Sequence, residues 1–185
     1  MKKIVVLISG NGSNLQHLID HQNDSYCITK VISNKSTAYG LERAKIAGIA
    51  TSIVLYKKGK DRQDYDKELI SHIQDADIVV CAGFLRIVTT LVIEKYTIIN
   101  LHPALSNGHV GLNCIEKSFN DFISNKINYS GVMVHHVAVV VDRGQLICEK
   151  VVPIYPWDTY DSFSNRIHSN ERELLLKAVE LCCNK

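Results

Sequence analysis

Lys3-Ile4-Val5-Val6-Leu7-Ile8-Ser9-Gly10-Asn11-Gly12-Ser13-Asn14-Leu15 is the stretch on which the reading of this chain turns. Lys3 to Ile8 is a short, β-branched apolar run, and Ser9 to Asn14 is a polar loop holding two glycines. Leu15, Leu18 and Ile19 then recur at helical spacing. The order is strand, tight loop, helix.

Outward from this stretch the pattern repeats. Tyr26 to Ile32 reads as a second strand ending in Ser33-Asn34-Lys35, a helix runs through Leu41 to Gly48, and Ile49 to Leu55 is a shorter third strand. Between Asp61 and Ala76, the residues Tyr65, Leu69, Ile73 and Ala76 fall on one helical face with charges opposite. Asp77 to Ala82 is an apolar strand, and Ile98 to Leu101 is another after a helix near Leu91 to Tyr96. Continuous rather than alternating hydrophobicity implies strands covered on both faces. In the second half a helix from about Leu112 to Ile123 precedes two strands, Asn128 to Val141 and Leu146 to Ile154. Only Asp142-Arg143-Gly144-Gln145 separates them, and so short a gap forces an antiparallel hairpin. In the final helix Tyr160, Phe163, Ile167, Leu174, Ala178 and Leu181 share a face, with Asp158 placed to cap it. The predicted fold is α/β: a Rossmann-like three-layer sandwich whose sheet is mostly parallel, closed by a C-terminal antiparallel hairpin and a final helix. No linker, repeat or low-complexity segment interrupts the chain, so residues 1–185 read as a single domain.

Composition narrows the function. With 46% hydrophobic and 22% charged residues the chain is of globular type, and a net charge of +2 gives no basic stripe for nucleic acid. The six cysteines, Cys27, Cys81, Cys114, Cys148, Cys182 and Cys183, form no CxxC pair and no metal-ligand spacing, which fits a reducing compartment. The first apolar run is too short for a signal peptide or membrane span. A cytoplasmic protein with no membrane and no nucleic-acid partner is expected, a monomer or homodimer acting on small molecules.

Ligands of open parallel sheets bind beyond the carboxyl ends of the strands, and the polar features fall there. The Ser9–Asn14 loop suits a phosphate: its glycines admit an anion close to the backbone, and the N–H groups of Gly12, Ser13 and Asn14 point from a helix start. A plain glycine turn opening a helix is the alternative. A dinucleotide fingerprint would need glycine at Leu15 and an acid near Lys35, and a Walker loop would need a lysine after the glycines. A second loop, Gly83-Phe84-Leu85-Arg86, follows the fourth strand. The fifth ends in Asn100-Leu101-His102-Pro103, where Asn100 and His102, two apart, share a face and Pro103 stops the ladder. An amide and an imidazole aimed off one strand end suit acyl transfer; a polar strand end and a satisfied core histidine are the other readings. His135, His136 and Asp142 are possible partners, because an aspartate favours a protonated imidazole that can stabilise an oxyanion.

At these residues the chain closely resembles the glycinamide ribonucleotide formyltransferases. IVVLISGNGSNLQ, the SNK after the second strand, GLERAKIAGIAT, AGFLRI, INLHPAL, GVMVHHV and the Asp142-Arg143-Gly144 turn match in the family's order, from Lys3 to about Glu171. The resemblance implies a single formyltransferase domain that transfers the formyl group of 10-formyltetrahydrofolate to the amine of glycinamide ribonucleotide in purine synthesis, without a metal. It implies a catalytic trio of Asn100, His102 and Asp142, with His135 supporting the aspartate. It implies that Gly12, Ser13 and Asn14 hold the substrate phosphate, Glu171 the ribose, and His168 a phosphate-side position at which relatives commonly have lysine or glutamine. Leu85, Arg86, Ile87 and Val88, with Val139, Val140 and Val141, are implied as the folate wall. Two stretches depart from the family. Relatives usually carry a proline-containing loop after Leu105, where this chain has Ser106-Asn107-Gly108-His109-Val110-Gly111, so more of the loop's order must come from contacts. Val139-Val140-Val141 and Gln145-Leu146 stand where relatives often have acids and a proline. Another formyl-transferring or formyl-hydrolysing enzyme of the same fold, or a non-catalytic folate- or phosphate-binding relative, are the rival readings.

Overall fold

The structure, a computed structural model, describes residues 1–57 and 59–184. Its elements are β1 (Lys2–Ile8), α1 (Ser13–Asp20), β2 (Tyr26–Ser33), α2 (Gly40–Ile46), β3 (Ala50–Ile53), α3 (Arg62–Ile73), β4 (Ile78–Cys81), α4 (Thr90–Ile93), β5 (Ile98–His102), α5 (Cys114–Ile123), β6 (Tyr129–His136), β7 (Leu146–Pro153) and α6 (Tyr160–Cys183). The strand order is β3-β2-β1-β4-β5-β6-β7. The chain forms two compact units, Met1–Asn100 with the C-terminal segment from Val179, and Leu101–Ala178. β5 belongs to both.

In the first unit β1 pairs in parallel with β2 on one side and β4 on the other, and β3 and β5 extend the two flanks in parallel. Chain order reverses between β1 and β4, which marks the crevice where α/β sheets take ligands. Ile4 to Ile8 are all buried, and since successive strand side chains face opposite ways, helices must cover both faces. Leu15 and Leu18 of α1, Leu41 and Ala44 of α2, and Tyr65, Leu69 and Ile73 of α3 supply that cover. Each buried leucine or isoleucine contributes about 1.5–3 kcal/mol. The spacing predicted for α3 holds for Tyr65, Leu69 and Ile73, but the helix ends at Ile73, before Ala76; Asp61 caps it by accepting the N–H groups of Gln63 and Asp64. The third strand is shorter than expected, four residues; just beyond it Val54 is buried and Leu55 exposed.

In the second unit β6 and β7 pair antiparallel from Tyr129↔Pro153 to His135↔Leu146, with a register shift at Val134/His135. The expected hairpin is present, but its first strand stops at His136 rather than Val141. The His136 N–H donates to Gln145 O and the Arg143 N–H to Val140 O, so 137–145 is a loop closed by a turn. Val139, Val140 and Val141 are exposed. Their β-branching favours extended backbone locally, yet no neighbouring strand pays the cost of ordering them as one. Along α6, Phe163, Ile167, Leu174 and Ala178 are buried as the spacing predicted, while Tyr160 and Leu181 are exposed. Asp158 does not cap this helix. Thr159 does: its Oγ1 accepts the Ser162 N–H and its own N–H donates to Ser162 Oγ, a reciprocal cap. Asp158 instead holds Arg166 through two hydrogen bonds of 2.6 and 2.7 Å. Among the described residues no helix is long and apolar enough to cross a membrane.

Candidate active site

In the second unit three of the implied residues meet. β5 ends at His102, which is buried; β6 delivers His135, also buried; the 137–145 loop brings Asp142 with its side chain 8% exposed. His102 Nδ1 lies 3.5 Å from Asp142 Oδ2, and His135 Nε2 lies 3.6 Å from Asp142 Oδ1. Asp142 Oδ2 also accepts the Gly111 N–H at 2.8 Å. Asp142 has φ 54°, a left-handed backbone that aspartate and asparagine tolerate better than most residues. Burial pushes its carboxyl up, but the neighbouring His135, the hydrogen bond from the Gly111 N–H and the charge of His102 outweigh it and hold the group below the usual carboxylate range. It is an anion seated between two imidazoles.

The tautomers follow from the partners. His135 Nδ1 is 2.9 Å from the His136 carbonyl, and a carbonyl only accepts, so that nitrogen carries a proton. His102 Nε2 is 2.8 Å from the His109 carbonyl and carries one for the same reason. The Cys114 thiol, 3.6 Å from this nitrogen, donates to Gly111 O, and burial pushes it up, so it stays neutral. His102 Nδ1, at 3.5 Å too long for a good direct hydrogen bond to Asp142, is the nitrogen left facing that carboxylate. Asn100 is half-buried on the same strand, and its spacing of two puts it on the face of His102.

In the first unit the β1–α1 loop is built for close approach. Gly12 has φ 76°, and a Cβ there would lie 2.7 Å from Gly40 Cα. Arg43 donates to both the carbonyl and the side-chain oxygen of Asn11, each at 2.9 Å. Ser9 Oγ donates to Asn34 Oδ1 at 2.6 Å and accepts the Leu85 N–H at 2.8 Å, tying together the loops after β1, β2 and β4 at the crevice. The first-turn N–H groups of α1 have no intrahelical acceptor, a donor cluster that suits a phosphate.

The remaining implied residues divide. Leu85 and Ile87 expose apolar surface, whereas Val88 is buried and the Arg86 guanidinium lies 3.3 Å above the Tyr56 ring. In the second unit His168 Nδ1 is 2.7 Å from Glu171 Oε2 on the same face of α6. That hydrogen bond, and the carboxylate charge against partial burial, raise His168 above the ordinary imidazole range. Among the described residues no group of three or more His, Cys, Asp or Glu is placed to hold a metal. Motif reading missed Ser9, Asn34 and Arg43 as supports of the β1–α1 loop, and His109, Gly111 and Cys114 as neighbours of His102 and Asp142. Nothing in their local spacing signals these roles.

Comparison with known proteins identifies the family. Residues 2–179 match the family model described as Formyl transferase. The chain is 42% identical to the phosphoribosylglycinamide formyltransferase of Dictyostelium discoideum, over 98% of each chain. It is 40% identical to that of Schizosaccharomyces pombe, over 95% of this chain and 94% of the other. Among solved structures, the phosphoribosylglycinamide formyltransferase of Streptococcus pneumoniae superimposes with a TM-score of 0.87 at 35% identity, over 97% of both chains. With a family match over residues 2–179, two curated relatives and a shared fold, the chain belongs to the formyl transferase family.

Proposed function

We propose that this chain transfers the formyl group of 10-formyltetrahydrofolate to the amine of glycinamide ribonucleotide, the phosphoribosylglycinamide formyltransferase reaction of de novo purine synthesis. Relatives of that name matched end to end support the reading. The structural observation that carries it is the seating of Asp142 between His102 and His135. The family implies an enzyme with small-molecule substrates and a formyl-folate co-substrate. The finer parts of the proposal are the 10-formyl form of that folate, a metal-free reaction, and a cytoplasmic monomer or homodimer acting as one formyltransferase domain.

The substrate's primary amine attacks the formyl carbon, and the carbonyl electron pair moves onto oxygen. Asn100 donates an amide N–H, and His102 its Nδ1–H, to that oxyanion; each such donor is worth about 3 kcal/mol of barrier. Asp142, held anionic, keeps a proton on His102 Nδ1 and accepts the proton released by the ammonium nitrogen. Passed on through water, that proton reaches the folate nitrogen as its bond to the formyl carbon breaks. The products are formylated ribonucleotide and tetrahydrofolate. Gly12, Ser13 and Asn14 bind the phosphate with backbone N–H groups, His168 adds a cation on the phosphate side and Glu171 contacts the ribose. Leu85, Arg86, Ile87 and Val88 of the first unit, and Val139, Val140 and Val141 of the second, are each assigned to the folate; Val88 is buried.

The test is to mix purified protein with both substrates and measure formylated ribonucleotide and free formate separately. Stoichiometric formyl transfer supports the reading. Formate release without transfer would favour a hydrolase, and no turnover with both ligands raising Tm would favour a binding protein.

A further inference from the structure

We infer that His109, through its ion pair with Asp121, is a positioning residue for His102, an inference that rests on the reading of His102 as oxyanion donor. The loop from Ala104 to Gly111 contains no proline. Much of its order comes from outside: the Ser106 N–H donates to Glu149 at 2.9 Å, Arg143 donates to Ser106 O, and Lys117 reaches Val110 O at 3.4 Å. His109 is the residue through which the loop reaches His102. Its carbonyl accepts the His102 Nε2–H at 2.8 Å, while its own Nε2 sits 2.9 Å from Asp121 Oδ2 on α5. The main chain of His109 holds the catalytic ring, and its side chain holds that main chain.

The consequence for chemistry is directional. A neutral imidazole offers one N–H, yet His102 faces an acceptor at each nitrogen, the His109 carbonyl at Nε2 and the Asp142 carboxylate at Nδ1. With Nε2–H bound, the ring cannot swing, and Nδ1 stays aimed beside Asp142. A displaced carbonyl releases both the ring's rotation and its Nε2 proton. A misplacement of about 1 Å can cost as much as about a hundredfold in rate. The groups facing this assembly are Lys117 on α5 and Lys126 just past it, Asp121 itself, Asp142 and the Cys114 thiol. Lys126 first, and His109 after it, hold the Asp121 carboxyl below its usual range against burial, so the anchor is charged at neutral pH. The His109 and Asp121 side chains remain 33% and 25% exposed, so breaking the pair removes little stability.

The experiment compares His109→Ala, Asp121→Ala, the double variant and His109→Gln, which keeps an N–H for Asp121, under saturating substrates. Each alanine variant is expected to lose roughly tenfold in kcat, about 1.4 kcal/mol of barrier. KM should stay within about twofold, and Tm within about 2 °C. The double variant should be no slower than either single one, and His109→Gln should recover most of the rate. Nitrogen-15 spectra of labelled histidine should show a slowly exchanging His102 Nε2–H in the unmodified protein and in His109→Gln, but not in His109→Ala. Full kcat with an unchanged Nε2–H signal in both alanine variants would overturn the inference, as would losses that simply add in the double variant. Should the unmodified protein not transfer formyl groups, the proposed function fails instead, and the spectra still decide whether His109 holds the ring.

Discussion

Replacing Asp142 by asparagine isolates its charge, because little else need change. The left-handed backbone at this position, φ 54°, suits asparagine, and the amide oxygen can still accept the Gly111 N–H now bonded at 2.8 Å. What disappears is the negative charge 3.5 Å from His102 Nδ1 and 3.6 Å from His135 Nε2. At 3.5 Å a unit-charge pair in surroundings of effective dielectric about 20 is worth about 5 kcal/mol. Without the carboxylate that favours a proton on Nδ1, one proposed oxyanion donor is lost, about 3 kcal/mol, or roughly a hundredfold in rate. Loss of the proton acceptor adds about a further 10²-fold. Asp142→Asn should therefore lower kcat by about four orders of magnitude while leaving the KM for both substrates within about threefold. Steady-state formyl transfer, measured beside Tm to confirm folding, is the assay. A folded variant within tenfold of the parent kcat would take Asp142 out of the proton path and refute the reasoning.

Three other outcomes follow from the same geometry. His168 is raised by its bond to Glu171, so its cation persists above the ordinary imidazole range and is lost as pH climbs through that raised value; the KM for the phosphorylated substrate should rise several-fold from mildly acidic to mildly alkaline buffer, and His168→Lys should flatten the profile. Gly12→Ala places a Cβ 2.7 Å from the Gly40 backbone at φ 76°; we expect a loss of about 1–3 kcal/mol of stability by denaturant titration and a higher KM for the same substrate with kcat spared. Asp158, with its side chain 1% exposed, is lowered by Arg166 first, then by the Tyr155 N–H and Ser162 hydroxyl against burial. Its contribution is present above the unfolded carboxyl range and is lost as pH falls through its lowered value. Asp158→Asn should cost about 2–4 kcal/mol near neutrality, with the gap to the parent narrowing only in strong acid.

Much of the fold was legible because it is written in short-range periodicity. Five apolar residues, two glycines and three leucine or isoleucine positions at helical spacing, from Ile4 to Ile19, are enough to specify strand, loop and helix, since each depends on contacts within a turn or two. The same locality misleads where neighbours are absent. Val139-Val140-Val141 has strand propensity, but with no ladder partner it became a loop, and that loop is what carries Asp142 to His102. Asp158 had the look of a helix cap because it precedes Tyr160; a guanidinium eight residues on competed for it, and Thr159 took the cap.

For the candidate site the division is similar. Asn100 and His102 share a face by the alternation of a strand, and Gly12 to Asn14 open a helix by the chemistry of glycine; the amino-acid order alone determines both. That Asp142, forty residues beyond His102, sits 3.5 Å from its ring is decided by the bulge at Val134/His135 and the turn at Val140–Arg143. Only the tertiary structure shows that a main-chain carbonyl, which every residue possesses and no motif can mark, takes the other nitrogen of His102, and that Asp121 pins the residue bearing it. Side-chain periodicity reports which face a residue presents; which acceptor it meets depends on where distant backbone is folded.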